Sequence, residues 1–231
     1  MTQFKGLPNG LFRFLNDLKK NNNRQWFQDN KERYQRHVVE PMVEFMLAIQ
    51  PKIAKLSPHI VVKPKAHNGS MFRIYRDTRF SKDKTPYKEH VSCHFRHEMA
   101  SRDAHTPGFY ARFAPAGVRF GGGIWLPESK ALHKIRMAIL DNPHAWGKVK
   151  TNKKLIKWCH AIEGDVLKRA PRGFPTEHIH LEDLKRKSFF AMHVSSRKVA
   201  TSPELIKHVD QVYQAVNPLL DFIAFALDID Y

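Results

Sequence analysis

The amino-acid sequence predicts an α+β fold in which a central, mostly antiparallel sheet is flanked by N-terminal and C-terminal helices. Apolar residues recur with helical spacing near both ends of the chain, and several segments between them alternate in the manner of strands. The chain has 231 residues, 42% of them apolar, which is enough for a substantial core. Because it contains no internal repeat and no low-complexity linker, we expect a single domain spanning residues 1–231.

Three helices are predicted in the first part of the chain. Residues 10–20 carry apolar side chains at positions i, i+3, i+4 and i+7. Asn23 is a suitable cap for a second helix whose apolar residues reach Val38. Pro41 fits the first position of a third helix, which Pro51 should kink or end.

Strand-like alternation begins near residue 60. The predicted extended segments are 60–63, 89–99, 109–114 and 117–126. The last two are separated by a short Pro-Ala-Gly turn that begins at Pro115, so they should form a hairpin.

The second half of the chain is predicted to alternate between helices and extended segments. A helix covers residues 128–140, and another follows Pro143. Residues 165–175 and 188–194 are predicted to be extended. A final helix is expected to be capped by Ser202, with the following proline at its first helical position.

The charge balance indicates an anionic partner. The formal net charge is +17 and the isoelectric point is about 10.0. Such a field attracts phosphate-rich partners such as nucleic acid, even without specific contacts. Charge of this kind bears on association and does not determine the fold.

The sequence also predicts where the protein resides. Two cysteines, Cys93 and Cys159, are too few for a disulfide framework, so we expect both to be buried thiols in a reducing cytoplasm. The N-terminus lacks the pattern of a signal peptide. The longest apolar run, residues 218–227, is too short to cross a membrane and contains Asp221, so no membrane association is expected.

The stretch MFRIYRDTRFSKDKTPYKEH, residues 71–90, concentrates basic side chains beside apolar anchors. Six arginines and lysines face three acids, which leaves an excess of three positive charges. The spacing of Arg73, Arg76 and Arg79 is compatible with a helix or with a strand. Pro86 prevents a helix through the end of the stretch, so its last part should be a loop that presents lysines.

These residues predict a pocket for a phosphate-bearing or other anionic ligand, in a binding domain or an enzyme. Guanidinium groups hold phosphates and carboxylates bidentately, and nearby lysines add point charges. We expect Asp77 to orient the arginines beside it and Tyr87 to donate its hydroxyl. The alternative is a buried ion-pair network without a ligand. The candidate ligand-binding residues are Arg73, Arg76, Asp77, Arg79, Lys84, Tyr87, Lys88, Arg172 and Lys187.

The same stretch carries a resemblance to a known family. Together with NRQWFQDNKERYQ, GFYARFAPAGVRFGGGIWLPESKALHKIR, LKRAPRGFP and KRKSFF, it resembles the family catalogued as domain of unknown function 2461. The resemblance extends from about Leu11 to Leu227. It implies no catalytic residues.

A second hypothesis is non-specific binding of nucleic acid by a lysine-rich helix face. This face comprises Lys150, Lys153, Lys154 and Lys157, and no acid follows them until Glu163. Solvated helix faces usually intersperse glutamate among lysines, so the run favours a polyanion.

No cofactor or metal is expected. On a strand, His90 and His94 lie about 13 Å apart, with Cys93 on the other face. His178 and His180 share a face but lack an obvious third ligand. The three glycines at 121–123 do not have dinucleotide-binding spacing and instead indicate a bulge or a close backbone approach. The sequence leaves the oligomeric state open.

Overall fold

The computed structural model describes residues 4–100 and 106–231 and has the predicted α+β architecture. Its five strands form one antiparallel sheet in sequence order. The strands are β1 (Ile60–Val61), β2 (Val91–His97), β3 (Gly108–Ala114), β4 (Gly117–Ile124) and β5 (Phe189–Ser195). The predicted hairpin is confirmed, since β3 and β4 are joined by a two-residue turn.

Helices precede the sheet, follow it, and separate β4 from β5. The helices are α1 (Asn9–Lys20), α2 (Arg24–Asp29), α3 (Lys31–Tyr34), a π-helical turn (Gln35–Val39), α4 (Glu40–Leu56), α5 (Ser129–Asp141), α6 (Pro143–Lys150), α7 (Lys153–Cys159), α8 (Leu181–Leu184), α9 (Arg197–Ala200) and α10 (Leu205–Leu227). No helix in the described part of the chain combines the length and apolar composition that a membrane crossing needs.

The N-terminal helices differ from the prediction at Pro51. Asn23 caps α2 as expected, since its side chain accepts a hydrogen bond from the Trp26 amide at 2.9 Å. Pro41 lies in the first turn of α4, as predicted, although α3, the π turn and α4 follow one another without a break. Pro51 does not end α4, which continues to Leu56 because the buried side chain of Ile53 keeps the last turn in the core.

Two predicted helices begin or divide at other positions. The helix after Pro143 is interrupted, because Asn152 caps α7 by accepting from the amides of Lys154 and Leu155. The last helix begins at Leu205, and the Ser202 hydroxyl donates to a carbonyl of α9 and does not cap α10.

The predicted extended segment 165–175 is not a strand. Only Val166 forms an isolated bridge, to Arg186. Because the segment lies mostly on the surface, it has no second strand against which to complete a ladder.

The core lies on one face of the sheet, against α4 and α10. Phe109 of β3 stacks on Tyr213 of α10 with ring centres 4.5 Å apart, and Phe113 meets Phe45 of α4 edge-on at 5.1 Å. Both cysteines are buried free thiols, as expected.

The glycine run in β4 is a site of close approach, as predicted, and each glycine keeps a single partner on β5, so there is no bulge. A Cβ on Gly121 would lie 2.0 Å from the Ala191 carbonyl oxygen. Gly123 has φ of +140°, which side chains rarely allow.

The other face of the sheet is partly open to solvent, and we call it the open face. The cross-strand register aligns its side chains in rows. It comprises Ser92, His94 and Arg96 of β2, Gly108, Tyr110 and Arg112 of β3, Arg119, Gly121 and Gly123 of β4, and Phe190, Met192 and Val194 of β5.

Candidate functional site

The basic stretch at residues 71–90 is extended and folds back on itself. Met71 bridges to Cys93 at the edge of β2, and Tyr75 bridges to Tyr87. Both bridges are antiparallel, so the stretch forms an irregular hairpin, which we call the signature hairpin. The extended conformation therefore holds, and the helical alternative does not.

The tip of the signature hairpin is held by two ion pairs. Arg79 grips Asp77 bidentately, with Nε to Oδ1 at 3.0 Å and Nη2 to Oδ2 at 2.7 Å. Arg76 donates through Nη1 to Asp83 at 2.5 Å and also to the Thr85 hydroxyl. Hydrogen bonds from these arginines lower the pKa of each carboxyl to about 2. Asp77 thus orients Arg79, whereas Asp83 orients Arg76.

These ion pairs are largely exposed. The side chains of Arg79 and Asp77 are 77% and 50% accessible, and that of Asp83 is 58% accessible. A buried ion-pair network at the tip is therefore not the arrangement that the structure has.

The two lysines of the predicted site, Lys84 and Lys88, stabilise the signature hairpin by donating hydrogen bonds to its backbone carbonyls. Lys84 Nζ donates to the Thr78 carbonyl at 2.9 Å, and Lys88 Nζ donates to the Arg73 carbonyl at 2.8 Å. Lys88 also lies 5.5 Å from the centre of the Phe72 ring. Burial, and then the charge of Arg73, lower the pKa of Lys88.

A cavity of about 270 Å³ lies between α2 and the signature hairpin. We call it the signature cavity. Its lining residues are Arg24, Gln28, Tyr75, Arg76, Thr78, Pro86 and Tyr87. It brings together two of the predicted ligand-binding residues, Arg76 and Tyr87, with two residues that were not predicted, Arg24 and Gln28.

Tyr87 is fixed at the base of this cavity. Its side chain is 2% exposed and stacks on Phe27 of α2 with ring centres 4.2 Å apart. Asn22 holds its backbone, since the amide of Tyr87 donates to Oδ1 and its carbonyl accepts from Nδ2, both at 3.0 Å. The loop before α2 and the hairpin are therefore joined at one residue.

The hydroxyls of Tyr87, which lines the cavity, and of Tyr34 stay protonated. Burial, and then the neighbouring Tyr75, raise the pKa of both Tyr34 and Tyr87, and the charge of Arg24 opposes the shift at Tyr87. A protonated phenol can donate a hydrogen bond to an anion. The described lining thus offers two guanidinium groups and the protonated hydroxyl of Tyr87, and none of its residues carries a carboxylate.

Arg172 and Lys187 are not part of this arrangement. Lys187 precedes β5, at the edge of the sheet opposite β1. Arg172 is exposed two residues before Phe174, which packs on His133 of α5. The signature hairpin instead lies along β2, so neither residue extends the cavity.

The lysine-rich helix face is smaller than predicted. Lys150 is not free, because its Nζ lies 2.7 Å from Oδ2 of Asp183, whose side chain is 1% exposed. Trp146 Nε1 and Arg186 Nε donate to the same carboxylate, each at 3.0 Å. Only the exposed lysines of α7 remain, namely Lys153, Lys154 and Lys157.

The sequence contained a pattern that could have identified Arg24 and Gln28 as neighbours. They follow the cap Asn23 and are four residues apart, so they share one face of α2. What the sequence could not provide was the position of that face, which depends on Asn22 binding the backbone of Tyr87, 65 residues away.

The comparison with known families covers this entire arrangement. The model of the family described as conserved hypothetical protein (DUF2461) matches residues 10–222. This range contains α2 and the signature hairpin, and it confirms the resemblance carried by their residues. No curated protein and no solved structure matches the chain.

Proposed function

Because the chain belongs to the DUF2461 family of conserved hypothetical proteins, we propose a function from the geometry of its signature cavity: the protein binds a small phosphate-bearing or other anionic ligand there. The observation that carries the proposal is the lining, in which two arginines and two tyrosines face a cavity of about 270 Å³ that no carboxylate lines. Arg76 is already paired with Asp83, so Arg24 supplies the charge that an anion would neutralise, and the guanidinium of Arg76 adds oriented donors.

The ligand contacts follow from what already holds each side chain. Asp83 and Thr85 bind Nη1 of Arg76, which fixes its guanidinium and leaves the other nitrogens for the ligand. Arg24 supplies the second charge from α2, and the hydroxyls of Tyr75 and Tyr87 supply neutral donors. The proposal is one of binding and assigns no reaction.

Thermal unfolding in phosphate and in chloride at matched ionic strength tests this proposal. A ligand at a hundred times its Kd stabilises the native state by about 2.7 kcal/mol. For a chain of this size, that corresponds to a rise in Tm of about 5 to 10 °C. Arg24→Ala should abolish the rise in phosphate.

Arg79→Ala is the matched control. It also removes one arginine, but Arg79 is bound to Asp77 and does not line the cavity. The Tm rise in phosphate should survive in this variant. The proposal is contradicted if the unmodified protein has the same Tm in phosphate and in chloride. It is also contradicted if Arg24→Ala and Arg79→Ala lose the Tm rise to the same extent.

The nucleic-acid hypothesis based on the lysine-rich helix face has less support. Lys150 neutralises Asp183, and the three remaining lysines lie on a helix of only seven residues. A duplex bound there would meet about three phosphates, so log affinity should fall with log salt with a slope near −2.7.

A further inference from the structure

The strands that form the open face contain no acidic residue. β2, β3, β4 and β5 include neither aspartate nor glutamate, whereas the open face carries His94, Arg96, Arg112 and Arg119. Arg112 and Arg119 are direct cross-strand partners. Like charges in that position repel one another, so the pair favours an external anion between or above the two guanidiniums.

Two of the cations on this side of the sheet each lie beside a neutral histidine. Arg96 Nε donates to Nδ1 of His94 at 3.1 Å, and Arg112 Nη2 lies 3.4 Å from Nδ1 of His90, which precedes β2. Since an arginine can only donate, both imidazoles accept at Nδ1 and carry their proton on Nε2. Among the described residues, these imidazoles do not offset the guanidinium charges, and Glu98, which lines the same cavity as Arg96, is paired with His59.

The interior of the open face also contains an unmet donor. Nε of Arg112 is buried and has no hydrogen-bond partner among the described residues. A buried polar group without a partner is uncommon in native structures, and one explanation is a ligand that supplies the acceptor.

Aromatic rings lie between and beyond these cations: the row of Tyr110 separates Arg96 from the Arg112–Arg119 pair, and Trp125 lies past the row of Arg96. Next to β2, the rings of Phe72 and His94 are nearly parallel, at 15° and 6.2 Å between centres, and Tyr110 is 6.4 Å from Phe72. At the opposite edge, Trp125 packs on Phe190 at 5.0 Å and is 61% exposed. Trp125 follows β4, which is two strand spacings, or about 10 Å, from β2.

We propose that the open face binds single-stranded nucleic acid. Bases would stack on the Phe72–Tyr110 group and on Trp125, while Arg96 contacts the phosphate between them and Arg112 and Arg119 contact phosphates on the other side of Tyr110. Aromatic side chains stack on unpaired bases, which a duplex keeps inside its own stack, and arginine rows follow the backbone. This site is separate from the signature cavity, whose lining residues come from α2 and the hairpin.

The test is fluorescence anisotropy of a labelled oligo-dT and of a duplex of the same length, each at several salt concentrations. The variant Arg96→Gln/Arg119→Gln removes two exposed charges of the open face, so it should remain folded. We expect it to weaken oligo-dT binding at least tenfold and to reduce the salt slope by about 1.4. The duplex should bind more weakly than oligo-dT.

Arg13→Gln/Arg169→Gln is the matched control, because it also removes two exposed arginine charges, at positions outside the open face. Its affinity for oligo-dT should change less than threefold. If this variant loses as much affinity as Arg96→Gln/Arg119→Gln, or if the duplex binds as tightly as oligo-dT, the open face is not a specific single-strand site.

A second readout reports on stacking. Binding of oligo-dT should quench tryptophan fluorescence, and Trp125→Phe should remove that quenching while the protein still binds. Quenching that persists in Trp125→Phe would overturn the stacking assignment. Arg24→Ala should bind oligo-dT normally, so this test and the phosphate test fail independently of each other.

Discussion

Asn22, the middle residue of a run of three asparagines, positions the candidate site by binding the backbone of Tyr87. Its amide group satisfies both the N–H and the C=O of Tyr87, and Tyr87 in turn forms part of the cavity wall. A single polar side chain thus determines how the loop before α2 meets a hairpin that is distant in sequence. Polar residues of this kind cannot be ranked from sequence, because Asn21 beside it has the same chemistry and only a local bond.

We expect Asn22→Ala to destabilise the protein by about 1 to 3 kcal/mol. Two partly buried hydrogen bonds are lost, and each contributes about 0.5 to 1.5 kcal/mol. Urea denaturation measures the change. Asn21→Ala, which loses one exposed bond to Asp17, should be close to neutral. Equal effects of the two substitutions would contradict the role assigned to Asn22.

Asp183 and Asp77 should respond very differently to the same change. Asp183 is buried and bound by Trp146, Lys150 and Arg186, so Asp183→Asn leaves cations without their partner and should cost on the order of 3 to 5 kcal/mol. Asp77→Asn should leave the urea midpoint almost unchanged, because its pair with Arg79 is exposed. A large loss of stability in Asp77→Asn would favour the alternative in which the charged residues of the signature hairpin form a structural ion-pair network without a ligand.

At the scale of elements, sequence patterns were most informative where one face is apolar. The amphipathic spacing of α1 and the alternation of β2 to β5 predicted those elements closely. Pro51 misled, because it lies inside α4, where the buried apolar face that includes Ile49 and Ile53 continues on both sides of it. Alternation along β2 also placed His94 and Arg96 on one face, yet it could not show which aromatic residues would join them.

The extended segment 88–96 makes a pH-dependent contribution to stability. Burial, and then nearby cations, lower the pKa of His90 and of His94 to about 4. Arg112 and Lys88 are the cations at His90, and Arg96 is the one at His94. An unfolded histidine titrates near 6.5, so between these values the unfolded state binds more protons. Stability should therefore fall as pH decreases from about 6.5 to about 4.

The loss over this window should be on the order of a few kcal/mol, measured by urea denaturation at a series of pH values. The double substitution His90→Gln/His94→Gln should flatten the profile between pH 6.5 and 4. A profile that keeps the same slope in this variant would assign the effect to other groups.

Across the whole molecule, the net charge of +17 was apparent from the sequence, but its distribution was not. Arg76, Tyr87 and the extended signature hairpin lie together, whereas Arg172 and Lys187 belong to the other edge of the sheet. Composition gives the net charge of the chain but not the positions of the charged side chains in the fold. Which cations are paired, as Lys150 is, depends on contacts between segments that are far apart in the chain.

The excess charge should make stability dependent on salt. Repulsion among the cations opposes the compact state, and at 0.1 M salt the Debye length is about 10 Å, so this repulsion is largely screened. We expect Tm to rise as sodium chloride increases from about 10 mM to about 150 mM and then to level off. A fall in Tm over this range would mean that attractive ion pairs outweigh the repulsion.

The π turn that precedes α4 determines the angular phase between Tyr34 and the core face of that helix. Tyr34 contacts Phe14 and Phe27 at 5.6 and 5.3 Å between ring centres. An α-helix advances by about 100° per residue, and a π turn holds one residue more than an α turn. If Gln35–Val39 were wound as a regular α-helix with no residue removed, Tyr34 would therefore turn through about a quarter of a revolution relative to α4, away from both rings, while the composition of the core stayed the same.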